Sequence, residues 1–89
     1  MSSYSVSLLP AARRDLRRLP PEVHNRIAAA ITRLENNPRP PGCKKLVGFE
    51  NEWRLRAGDY RVLYLIDDAA KRVTIARVAH RREAYRSMR

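Results

Sequence analysis

An α+β two-layer domain, an N-terminal strand plus a helical hairpin packed on an antiparallel sheet, is the fold class this sequence predicts. Three observations lead there. Alternating apolar and polar residues mark strands at the start of the chain and through its second half. Two stretches between them repeat their apolar residues at helical spacing. Helices set apart in sequence from a meander of strands stack on one face of the meander's sheet. With 89 residues, 44% of them hydrophobic and 31% charged, residues 1–89 form one globular domain with one modest core.

Tyr4 to Leu9 mixes aromatic, polar and β-branched residues and predicts the first strand. Pro10 suits the first turn of a helix, where its missing N–H costs nothing. From Ala11 to Leu19, the residues Ala12, Leu16 and Leu19 share a face, and Arg13, Arg14, Arg17 and Arg18 cover the rest. Pro20 and Pro21 stop this helix and start the next, whose stripe is Val23, Ile27, Ala30, Ile31 and Leu34. Pro38, Pro40 and Pro41 stiffen residues 37–43 into a fixed connection. Lys44 to Phe49 holds a short extended segment. Trp53 to Ala57 alternates strictly, Gly58-Asp59 marks a turn, Tyr60 to Asp67 is β-rich, and Arg72 to Ala79 is a further strand. The tail from Arg82 to Arg89 reads as a short helix or a frayed end.

Nineteen basic residues against nine acidic ones give a net charge of +10. Residues 1–44 carry eight basic and three acidic groups and residues 45–89 eleven and six, so each half contributes +5. Sixteen of the basic residues are arginine, whose planar fork suits bidentate phosphate contacts. The charge predicts a polyanionic partner, either nucleic acid or an acidic protein. No apolar run approaches the roughly 20 residues that cross a bilayer, and the N-terminus lacks a secretory pattern, so no membrane partner and a cytoplasmic location are expected. A single cysteine, Cys43, excludes an internal disulfide, and His24 and His80 are too far apart in sequence to suggest a metal or other cofactor site.

Function is expected on the sheet face that the helices leave open. Trp53, Leu55 and Ala57 point one way and Arg54 and Arg56 the other. The strand from Tyr60 is apolar on both faces, so its orientation stays ambiguous. The meander is expected to gather Arg54, Arg61 and Arg81 beside His80 and a tyrosine. Such a cluster suits metal-free RNA cleavage, in which a 2′-hydroxyl attacks the adjacent phosphate and guanidinium groups stabilise the phosphorane. His80 is suited to taking or supplying the proton.

The order of these residues is more specific than the composition. Trp53-Arg54-Leu55-Arg56-Ala57-Gly58-Asp59-Tyr60-Arg61-Val62-Leu63-Tyr64 and Val78-Ala79-His80-Arg81-Arg82-Glu83-Ala84-Tyr85, with the opening Tyr4-Ser5-Val6 and Ala11 to Leu19, resemble the RelE/ParE toxin superfamily over nearly the whole chain. The resemblance implies a β-α-α-β-β-β fold and the toxin half of a type II toxin–antitoxin pair. In the RelE-like branch it implies a ribosome-dependent endoribonuclease that cuts mRNA in the A site and so inhibits translation. It places the basic strand position on Arg54, the transition-state arginines on Arg61 and Arg81, the histidine on His80 and the C-terminal tyrosine on Tyr85. Glu52 and Arg54 stand where some members carry lysines, which removes one candidate base.

The implied partners are an acidic, RelB-like antitoxin and the ribosome with its A-site mRNA; operator DNA would be bound only through the antitoxin. Arg13, Arg14, Arg17, Arg18, Arg56 and Arg82 are candidate contacts to ribosomal or messenger RNA. The rival implication is a ParE-like toxin that poisons DNA gyrase without cutting RNA; such members generally lack the arginine-plus-His/Tyr set. A plain RNA-binding module is a third reading. Trp53, Tyr60 and Tyr64 are expected in the core rather than as base-stacking platforms.

Overall fold

The computed structural model describes residues 3–46 and 51–82. Its elements run β1 (Ser5–Leu8), α1 (Pro10–Arg17), α2 (Pro21–Arg33), β2 (Cys43–Lys45), β3 (Glu52–Ala57), β4 (Tyr60–Asp67) and β5 (Arg72–His80). Both helices begin on a proline, where no backbone donor is lost. Arg14 and Arg17 fill the last turn of α1, where cations suit the helix dipole.

The strands form one sheet in the order β1-β5-β4-β3-β2. The α+β two-layer architecture is as the sequence predicts, with two differences of detail. The sheet is not wholly antiparallel, because β1 runs parallel to β5, Ser5 opposite Arg72 through Leu8 opposite Ile75. A parallel pair needs a long crossover, and the intervening helices and strands supply it. The edge also carries β2, Cys43–Lys45, which pairs with Trp53–Leu55; of the segment expected to be extended, Lys44 to Phe49, residues 47–49 lie outside the described residues.

Alternation places the core. Ala12, Ile27, Ala30, Ile31 and Leu34 on the helices close on Leu55, Val62, Tyr64, Ile66, Val73, Ile75 and Val78 on the strands. The ambiguity of β4 is thereby resolved: Val62, Tyr64 and Ile66 face the helices, with Tyr60 and Trp53 packed at the margin. The proline-rich connection is held from both sides. Tyr64 Oη donates to the Pro38 carbonyl at 2.7 Å, and burial pushes this phenol well above its ordinary range. Arg39 pairs with Asp68 (2.7 and 3.1 Å), which also accepts from Tyr4 Oη at 2.7 Å, and its guanidinium lies 5.0 Å from the Trp53 ring centre. The Arg39 and Tyr4 hydrogen bonds hold the Asp68 carboxyl down at about 2.

One irregularity matters for the site. Between Leu63 and Tyr64 the register slips: Leu63 faces Arg77, but Tyr64 faces Ile75, so Ala76 is an extra residue in β5. Beyond Ile75, β5 outruns β1, and its backbone finds another partner there. The Asp15 carboxylate of α1 accepts from the Val78 N–H at 2.9 Å and from the Arg77 guanidinium at 2.9 and 3.1 Å. No helix among the described residues is long and apolar enough to cross a membrane.

Candidate anion-binding site

On the face away from the helices, Arg56 and Arg61 are directly opposite partners across β3–β4, and Lys44 lies opposite Arg54 across β2–β3. Together with Gly42, these four cations line a cavity of about 120 Å³. That is the space of about four water molecules, enough for one phosphate group and little more. Gly42 adopts φ +95°, which lets the chain turn from the proline-rich loop into β2 at the cavity wall.

Arg61 is half-buried, and its Nη1 donates to the Tyr60 carbonyl at 3.1 Å. Its pKa is lowered first by burial and then by the charges of Arg56, Arg54 and Arg81, against which Asp59 pulls weakly upward. Arg81 therefore belongs to the same electrostatic neighbourhood. Its backbone N–H donates to the Asp59 carbonyl at 2.7 Å, which ties the end of β5 to the β3–β4 turn. A half-buried guanidinium among like charges is short of counter-charge, and an anion entering the cavity supplies it.

The structure does not bring His80 into this group. His80 lies opposite Tyr60, their rings meeting edge to face with centroids 5.4 Å apart, whereas Arg61 lies opposite Ala79 on the other face. His80 lines a separate cavity of about 290 Å³ on the helix side with Asp15, Arg18, Leu19 and Arg77. The expectation that His80 stands beside the arginines is thus corrected, and the bulge is the reason. Simple alternation from Val73 and Ile75 would turn His80 to the open face; the extra residue Ala76 shifts the parity so that Val78 and His80 fall on the helix side with Val73 and Ile75. The Arg82 N–H donates to His80 Nδ1 at 3.3 Å, which leaves Nε2 to carry the proton of the neutral ring.

The remaining candidates fall as follows. Arg13, Arg14, Arg17 and Arg18 are exposed on α1 and at its C-cap, away from the arginine cavity. Arg82 is exposed just after β5. Tyr85 and most of the expected tail lie outside the described residues. Lys44 is the cavity residue that sequence reasoning missed; a lysine just past a Pro-Pro-Gly turn carried no signal until β2 set it opposite Arg54. Among the described residues no three His, Cys, Asp or Glu side chains converge as a metal site would require.

Known proteins resemble the chain along its whole fold. The family model described as "ParE toxin of type II toxin-antitoxin system, parDE" matches residues 6–85. The protein named Toxin RelE of Mycobacterium tuberculosis is 41% identical over 88 residues, covering 93% of this chain and 87% of that one. Among solved structures, a chain of the toxin–antitoxin complex RelBE2 from M. tuberculosis superposes with TM-score 0.77 at 36% identity, covering 88% of this chain and 98% of that one. A chain of the archaeal RelE–RelB complex from Pyrococcus horikoshii gives TM-score 0.79 at 29% identity, covering 91% and 97%.

Proposed function

The chain belongs to the RelE/ParE toxin superfamily of type II toxin–antitoxin systems, in its RelE-like branch, and on that premise we propose that it is an endoribonuclease which cuts mRNA on the ribosome and inhibits translation. The observation that carries this reading is the cavity lined by Lys44, Arg54, Arg56 and Arg61, whose Arg61 also feels the charge of Arg81 outside the lining. It is sized for one phosphate and walled by guanidinium groups. When a 2′-hydroxyl attacks the adjoining phosphorus, a second negative charge grows on the non-bridging oxygens as the phosphorane forms. Donors already aimed at those oxygens stabilise that state more than the ground state, because they need no rearrangement as the charge arrives. Arg61 and Arg81 are the transition-state arginines, with Arg54 holding the phosphate from β3. The reaction needs no metal or cofactor in this scheme.

Proton transfer falls to groups outside the arginine cavity. From the helix-side cavity, His80 reaches an RNA strand only where the strand passes around the end of the sheet at the β3–β4 turn. In that position it serves the leaving 5′-oxygen or the neighbouring nucleotide, and Tyr85 is the second candidate. The surface arginines Arg13, Arg14, Arg17, Arg18 and Arg82 hold the ribosomal RNA backbone. In the cytoplasm the toxin is held inactive by an acidic, RelB-like antitoxin; the solved relatives named as RelE–RelB complexes support such a partner.

Inducing the isolated gene and mapping RNA ends tests the reading. Growth arrest with new 5′ ends inside codons is expected, and Arg81→Ala should abolish both while preserving the fold. Intact RNA with altered DNA supercoiling would instead establish the gyrase-directed alternative.

A further inference from the structure

Arg56 borders two cavities. One is the arginine cavity on the open face; the other, of about 310 Å³, lies between α2 and β3 on the helix side. The topology explains how one side chain reaches both. β2 pairs with β3 only from Trp53 to Leu55; past Leu55 the Pro40–Gly42 turn flanks the sheet instead of a paired strand, with Pro40 and Pro41 lining the cleft, Gly42 lining the arginine cavity, and Arg56 lining both.

The floor of the second cleft is apolar, made by Ala29 and Ala30 of α2 against Leu55 and Ala57 of β3. Small side chains on both walls leave this space unfilled. Its rim is cationic: Arg26 and Arg33, seven residues apart on α2 and so about 10 Å along the helix, stand with Arg56 opposite. Neither Arg26, Arg33 nor Arg56 has an ion-pair partner among the described residues; the two salt bridges there use Arg39 and Arg77. At about 310 Å³ the cleft is at the lower limit of small-ligand pockets. It suits one or two side chains of an extended peptide. An apolar floor under three unpaired guanidinium groups is complementary to an apolar residue flanked by carboxylates.

We propose that this cleft binds an acidic peptide segment of the antitoxin, and that a carboxylate seated there draws Arg56 away from the arginine cavity, weakening phosphate binding without covering it. The coupling deepens the proposed function and rests on the phosphate-clamp reading. It predicts inhibition at a distance: the segment and the RNA occupy different faces and compete for one shared residue. Arg26 and Arg33 hold the segment; Arg56 transmits its presence.

The test uses the full chain, a five-residue peptide alternating glutamate and leucine, its lysine–leucine counterpart, and a short fluorescent RNA made uncleavable by 2′-deoxy substitution. The acidic peptide should shift the backbone amide NMR signals of Ala29, Ala30 and Leu55 and weaken RNA binding about fivefold, the loss of one charge-assisted contact. The basic peptide should do neither. In the R26Q/R33Q variant, RNA affinity without peptide should stay within about twofold of the parent, since both residues lie outside the arginine cavity, and the peptide should have no effect on it. Unshifted cleft amides would overturn the proposal, as would inhibition of the double variant equal to that of the parent, which would mean direct competition at the arginine cavity. If RNA fails to bind the parent even without peptide, the phosphate-clamp reading fails and the coupling with it, while the amide shifts still decide whether the cleft takes an acidic segment.

Discussion

Arg61→Gln should cost the protein its activity and relieve it of electrostatic strain, and the second effect can be isolated by salt. In the folded state Arg61 sits directly opposite Arg56, with Arg54 and Arg81 also lowering its pKa. A like-charge pair directly opposite on a sheet destabilises by about 0.2–1 kcal/mol, and the two further neighbours contribute smaller, screened amounts. The total is about 1 kcal/mol at 10 mM salt, where the Debye length is about 30 Å, and nearly nothing at 1 M, where it is about 3 Å. The variant also loses the hydrogen bond from Arg61 Nη1 to the Tyr60 carbonyl. That loss is largely independent of salt and cancels when one variant is compared at two salt concentrations. Thermal unfolding of parent and variant at 10 mM and 1 M NaCl therefore gives a double difference near 1 kcal/mol favouring the variant at low salt. For a domain of this size that is about 4–8 °C in relative Tm. Equal relative stabilities at the two salts would show that Arg61 feels no cluster of cations, and the cavity would lose its electrostatic basis.

Asp15→Ala should destabilise by about 2–3 kcal/mol in urea denaturation, since it strands both Arg77 and the Val78 N–H; Arg77→Met should cost less because the N–H keeps its acceptor. Gly58→Ala should cost about 1–2 kcal/mol from its φ of +62° alone, and its new methyl would press on Arg26 Nη1 at 3.1 Å, so an amide shift near Arg26 should accompany the loss. Asp68 has a depressed folded pKa, about 2, so it stabilises the fold above the ordinary carboxylate range and the benefit disappears as pH falls through that value. The stability gap between the parent and Asp68→Asn should be constant from pH 5 to 7 and close by about pH 2; a gap that persists in acid would contradict the Arg39–Asp68–Tyr4 clasp.

The helices and the three long strands were legible because each carries its own period. The Val23 to Leu34 stripe and the Trp53 to Ala57 alternation state which side is buried without reference to anything else. What stayed hidden depends on pairing. Nothing in Ser5–Leu8 says that its backbone partners run parallel in the last strand, and a three-residue edge strand at Cys43–Lys45 is too short for a period. The grouping of Arg54, Arg56 and Arg61 could be anticipated from alternation in two strands joined by a tight turn. His80 could not be placed, since a single extra residue at Ala76 reverses the parity on which the expectation rested. The bulge has no distinctive composition: Thr74-Ile75-Ala76-Arg77 reads as uninterrupted strand.

The chemistry of the cut ends tests the central claim most directly. mRNA on purified ribosomes, treated with the protein and analysed for termini, should carry a 2′,3′-cyclic phosphate on one side of the break and a 5′-hydroxyl on the other, and a 2′-deoxy nucleotide at the site should block cleavage. A 3′-hydroxyl paired with a 5′-phosphate, or cleavage that proceeds through the deoxy substitution, would require water or another outside nucleophile and would contradict the account.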